Sequence, residues 1–145
     1  MDRLACVDVP ALPLQLLYER QRDWAALPGA PIAVVREDKP QSPILWINPA
    51  AHAAGVRTGM RYAAGLSITR ELRAAPVPPE ALAACVDLLA ARLRHFTPHV
   101  EPAPGEPGTF WLGAGGLGGM FDSPAAWARL MLKDLASVGY DAVVV

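Results

Sequence analysis

The chain has 145 residues, 52% of them hydrophobic, with 13 basic and 14 acidic residues for a formal net charge of −1. Length and apolar content predict one compact domain and exclude a disordered low-complexity chain, while 15 prolines and 12 glycines make it turn-rich. The balanced charge provides no electrostatic pull toward a phosphate backbone or an acidic bilayer.

Leu4 to Val9 is a short apolar run ended by Pro10 and Pro13, the pattern of a buried strand entering a helix, with Asp8 at its exit. From Pro13, apolar Leu14, Leu17, Tyr18, Trp24 and Ala25 recur at helical spacing and predict a helix to about Leu27, stopped by Pro28-Gly29. Ile32–Val35 and Ile44–Ile47 flank a polar stretch and predict two strands joined by a solvated turn. Asn48-Pro49 supplies an N-cap and a first-turn proline for a short helix ending at Gly55, and Thr58 is placed to cap another near Gly59-Met60. Pro78-Pro79-Glu80 opens a helix with Leu82, Val86, Leu89, Leu93 and Phe96 on one stripe. The breaker-dense run 100–108 predicts a hairpin turn before the strand Thr109–Leu112. Asp122-Ser123-Pro124 starts a last helix carrying Trp127, Leu130, Met131 and Leu135 to Gly139, and Ala142–Val145 closes as a strand with no polar exit, as in a chain cut from a longer protein. The order predicts an α/β (α+β) fold with helices on a mixed sheet.

Chemistry-bearing residues are sparse. Cys6 and Cys85 lie in apolar stretches without metal-ligand spacing, which predicts buried, reduced thiols; with no leader and no apolar run near the roughly 18 residues a span needs, the expectation is a cytoplasmic protein. Gly113–Gly118 spells GxGxxG after a strand, so a dinucleotide-binding enzyme is one reading. Its context is poor, because the helix waits until Asp122-Ser123-Pro124 and sets a carboxylate where a pyrophosphate would sit. Asp8 alone does not converge with other carboxylates as two-metal chemistry requires, Glu101 and Glu106 fall in the proline-rich link, and His52, His95 and His99 are scattered. Trp46, Trp111 and Trp127 read as core, with Trp46 and Trp127 the candidates for anchoring a partner.

Through the segments Ala5–Leu12, Pro31–Val35 and Asn48–Met60, taken in that order, the chain over nearly its whole length resembles the N-terminal part of Y-family translesion DNA polymerases. Ala5-Cys6-Val7-Asp8-Val9-Pro10-Ala11-Leu12 resembles the opening strand whose active form reads D-x-D-x-F-F/Y, and Pro31–Val35 resembles the next conserved strand. Asn48-Pro49-Ala50-Ala51-His52-Ala53-Ala54-Gly55-Val56-Arg57-Thr58-Gly59-Met60 is similar to N-Y-E-A-R-x-x-G-V-R/K-x-G-M. Phe96–Glu101 and Leu117–Phe121 fall where the family has comparable segments.

The departures fall on the chemistry. The first metal-binding Asp matches Asp8, the second falls on Pro10, and the aromatic that excludes ribose falls on Pro13. The triphosphate-holding Tyr and Arg fall on Pro49 and His52. The later Asp-Glu pair falls on Gly108 and Thr109; a shifted register brings Glu106 there, followed by Pro107.

The resemblance implies a palm-like core over 1–27 and 78–145 and a fingers-like insertion over 28–77. With these ligands lost it implies no nucleotidyl transfer, no cofactor and no bound metal, a combination similar to the ImuB proteins of bacterial mutasomes. It implies a DNA-damage adaptor that docks a RecA-like ImuA partner. Contacts with the sliding clamp and an error-prone polymerase would run through regions absent here, and this portion would bind DNA weakly or not at all and no membrane. The alternatives are an active lesion-bypass polymerase fragment and the dinucleotide enzyme.

Overall fold

A computed structural model describes residues 4–27, 29–113 and 123–145. In chain order the elements are β1 (Leu4–Asp8), α1 (Leu12–Arg20), α2 (Arg22–Ala25), β2 (Ile32–Val35), β3 (Ile44–Ile47), α3 (Pro49–Ala54), α4 (Tyr62–Ile68), β4 (Arg73–Pro76), α5 (Pro79–Leu93), β5 (Val100–Pro102), β6 (Thr109–Gly113), α6 (Pro124–Ser137) and β7 (Val143–Val144). They gather into two compact units, Met1–Leu12 with Leu82–Val145, and Pro13–Ala81. The single core suggested by chain length is thus divided, because the inserted residues carry a sheet and an apolar cluster of their own.

The first unit is built on a four-stranded sheet ordered β5-β6-β1-β7, every neighbouring pair antiparallel. With α5 before β5 and α6 before β7, this is a split βαβ pattern, in which both helices lie against one face. Burial agrees. Val7, Val100, Phe110 and Leu112 alternate onto a buried face, and the buried helix positions are Cys85, Leu89, Ala90 and Leu93 of α5 and Trp127, Met131 and Leu135 of α6. Ser123 caps α6 by accepting from the Ala126 N–H at 3.0 Å, with Pro124 in its first turn. Arg92 of α5 donates from Nε and Nη2 to both carboxylate oxygens of Asp134 of α6, at 2.8 and 2.9 Å.

The second unit carries a three-stranded sheet ordered β3-β2-β4, antiparallel on one side of β2 and parallel on the other. All four residues of β2 are buried, which explains its unbroken apolar run. Ala33, Val35, Ile44, Ala51, Val56 and Leu72 form the cluster against which Ile47, Met60, Tyr62, Leu66 and Ala74 pack. α3 is capped at both ends, by Asn48 and by Gly55 in the left-handed region at φ 106°. Asn48 does more than cap. Its Oδ1 accepts from the N–H groups of Ala51 (2.9 Å) and Ile32 (3.0 Å), while Nδ2 donates to the Ala30 carbonyl (2.8 Å) and the Tyr18 hydroxyl (3.2 Å).

Several expectations are corrected. The helix expected to Leu27 breaks at Gln21, whose φ of −121° and ψ of 68° leave the helical region, and Ala25 and Leu27 are exposed. The helix expected from Thr58 starts at Tyr62, since Gly59 and Met60 spend their backbone groups on Ile44: the Gly59 N–H donates to its carbonyl (2.8 Å) and its N–H to Met60 O (2.7 Å). β4 and β5 were not foreseen; both lie at sheet edges, where Pro76 and Pro102 are tolerated. Trp46 and Trp111 are exposed rather than core, as is Leu130. Cys85 is buried as expected, Cys6 partly exposed.

Replacing Asn48 by Ala removes a cap and orphans several buried groups, so it should lower the unfolding free energy by about 2–4 kcal/mol. The shift is read from the urea midpoint at unchanged slope. Asn48→Asp keeps the acceptor but sets a carboxylate oxygen against the Ala30 carbonyl, so it should lower the urea midpoint as well.

Candidate functional site

The carboxylate-bearing end of β1 is where the sequence placed its chemistry. Asp8, the last residue of β1, stands directly opposite Thr109, the first of β6, and the Thr109 hydroxyl donates to Asp8 Oδ1 at 3.1 Å. Beyond the strand, the Val9 N–H donates to the Gly108 carbonyl at 2.7 Å. The register therefore sets Thr109, not Glu106, across from Asp8.

Gly108 has a backbone reason to be glycine. Its φ is +100°, and a Cβ there would lie 2.5 Å from the Val9 carbonyl oxygen and 2.9 Å from Leu12 Cβ. Pro10 is exposed in the turn that follows β1, where Ala11 takes φ 47°, and contributes no side-chain heteroatom. Among the described residues no group of three or more His, Cys, Asp or Glu is arranged to hold a metal ion.

The other acidic groups surround this strand end differently from a ligand set. Glu106 is exposed in the turn between β5 and β6, and Glu101 is exposed on β5 opposite Trp111. Burial raises the Cys6 thiol above its ordinary pKa, and the negative charges of Asp8 and then Glu106 raise it further. Cys6 is therefore held as a protonated, weakly nucleophilic thiol at neutral pH.

Within the second unit, Pro13 is buried in the first turn of α1. Pro49 occupies the first turn of α3, and His52 is exposed one turn on. Arg57 is turned inward on its own segment, its Nη1 donating to the carbonyls of His52 and Val56, both at 2.8 Å.

His95 and His99 are exposed. Trp127 is buried and donates from Nε1 to the Phe96 carbonyl at 3.0 Å, which removes it as a surface anchor. Trp46 is half-exposed. Gly113 ends β6; the rest of the Gly113–Gly118 loop, with Leu117–Phe121, lies outside the described residues. Trp111, expected in the core from its residue type, stands on the exposed face of β6. Its strand neighbours Phe110 and Leu112 point to the core, and the two-residue alternation of a strand was the available signal.

Comparison with known proteins adds the family. The impB/mucB/samB family profile matches residues 7–141. No curated protein matches. Among solved structures the chain is similar to a Y-family DNA polymerase chimera of Dbh and Dpo4, with a TM-score of 0.80 at 18% identity over 99% of this chain and 42% of the other. It is also similar to Dbh DNA polymerase in an insertion ternary complex (TM-score 0.76, 18% identity, 99% and 42% covered). DinB from Sulfolobus solfataricus matches with a TM-score of 0.78 at 18% identity, 99% and 41% covered. These likenesses show the fold, and the chain spans about two fifths of the length of those polymerases.

Gly108→Ala should cost about 2–4 kcal/mol and Gly108→Asp at least as much, measured by thermal or urea unfolding, because backbone conformation and space are both refused. Cys6 should alkylate more slowly in the folded chain than in the urea-unfolded chain at the same pH. Asp8→Asn should speed that reaction without closing the gap, since burial is the larger cause.

Proposed function

The chain belongs to the impB/mucB/samB family, and on that premise we propose that it is the palm-and-fingers portion of a polymerase-like protein that no longer transfers nucleotides and acts as an adaptor in DNA-damage-induced mutagenesis. The domain is Y-family polymerase-like in fold. The observation that carries the non-catalytic reading is the β1–β6 junction. Two-metal transfer needs carboxylates converging on ions about 4 Å apart. At this junction Asp8 faces a threonine that hydrogen-bonds it, Gly108 has no side chain and no room for one, and the side chain of Pro10 has no ligand atom. The residues present do not fit a pair of magnesium ions.

The triphosphate side supports the same reading. Pro49 has no hydroxyl, His52 stands where active relatives keep an arginine, and Arg57 is engaged with backbone carbonyls. In this reading the protein is of ImuB type, works in the cytoplasm and assembles with a RecA-like partner, with clamp and polymerase contacts supplied by other regions. Asp8 is the residue that favours a second reading, an active lesion-bypass fragment.

Titration with magnesium and a deoxynucleoside triphosphate separates the two. Calorimetry should give no micromolar binding, and manganese should not selectively broaden amide resonances around Asp8. Nucleotide-dependent binding of ions at Asp8 would restore the catalytic reading. The adaptor half is tested by co-purification of this chain with the RecA-like protein; its failure would move the adaptor surface outside these residues.

A further inference from the structure

We propose that the open face of the four-stranded sheet docks a single amphipathic helix of a partner protein, one whose apolar stripe is bordered by Lys and Arg. The strand register assigns that face. Leu4, Cys6 and Asp8 of β1 share it with Gly113, Trp111 and Thr109 of β6, with Glu101 of β5 and with Val143 of β7. Among the described residues, the apolar side chains of this face stand open to solvent. Trp111 is 48% exposed, Val143 48% and Leu4 72%, and Cys6 lies directly opposite Trp111. An exposed tryptophan across from a partly buried thiol, with exposed Leu4 and Val143 on the same face, is the composition of a binding hot spot.

Charge identifies the occupant. Glu101 is paired with Trp111, Asp8 with Val143, and Glu106 stands in the turn at the rim, near enough that its charge and that of Asp8 act on Cys6. The four strands contain no Lys or Arg. A phosphate backbone meets repulsion on such a face, whereas Lys and Arg flanking an apolar stripe find carboxylates beside the tryptophan. Size points to one helix. Four strands at about 4.8 Å spacing span about 14 Å between the outer two, enough for one helix about 10–12 Å wide. The inference rests on the non-catalytic reading, under which no metal ions neutralise these carboxylates.

Two 15-residue helical peptides with the same apolar stripe, one flanked by Lys and Arg and the other by Glu, test it on the whole chain. Protection of Cys6 from N-ethylmaleimide is read by mass spectrometry, with buried Cys85 reporting that the fold is intact. The basic-flanked peptide should slow Cys6 labelling about tenfold at micromolar concentration, and the acidic one should not. Trp111→Thr should weaken binding about tenfold, read by calorimetry. Glu101→Lys should erase the preference for basic flanks while Cys85 stays unlabelled. Equal protection by both peptides, protection by neither, protection by a single-stranded oligonucleotide, or protection that rises with protein concentration alone would overturn the proposal, the last by making a second copy the occupant. Magnesium with a deoxynucleoside triphosphate forms a separate arm. Protection of Cys6 that needs both would overturn the non-catalytic reading, whereas failure of the peptides leaves that reading standing.

Discussion

The hydrogen bond from the Val9 N–H to the Gly108 carbonyl is the constraint on which the first unit is organised. It extends the β1–β6 ladder past Asp8, and it brings two backbones so close that position 108 admits no side chain. Central strand β1 then pairs on both sides, with β6 and β7, and the alternation set by that register decides which residues reach the core and which reach the open face. Fold and candidate site are therefore one decision. No side chain fits at position 108 by substitution alone, because the Val9 carbonyl and Leu12 close the space around it.

In the second unit one side chain has the comparable role. Asn48 spends its amide on four partners drawn from α1, the segment before β2, β2 itself and α3. A buried amide with all its hydrogen bonds made specifies an arrangement more sharply than apolar contact does. Pro49 and His52 follow it in sequence, on the helix whose start Asn48 fixes.

Local chemistry was legible in the sequence. Asn48-Pro49 and Ser123-Pro124 announce helix starts because cap and first-turn residues act on their own neighbours, and both caps are made. β4 was hidden because Arg73-Ala74-Ala75-Pro76 has weak strand character and is held by its parallel pairing with β2. The break at Gln21 has no proline or glycine to mark it. At the site, the identities of Asp8, Pro10, Gly108 and Thr109 were readable, but the reason Gly108 must be glycine lies in residues some hundred positions away. Trp111 belongs to the core by residue type and to the open face by strand alternation, and the alternation decides.

The prolines at the sheet edges have a further effect. Pro76 ends β4 and Pro102 ends β5, each an outer strand lacking one N–H. An outer strand that cannot complete a ladder is a poor template for another chain, so runaway cross-β stacking finds no continuous purchase along these borders. A protein that bares a tryptophan-centred sheet face must stay dispersed while that face is empty. The same prolines that make the chain look irregular in composition help keep it from sticking to itself.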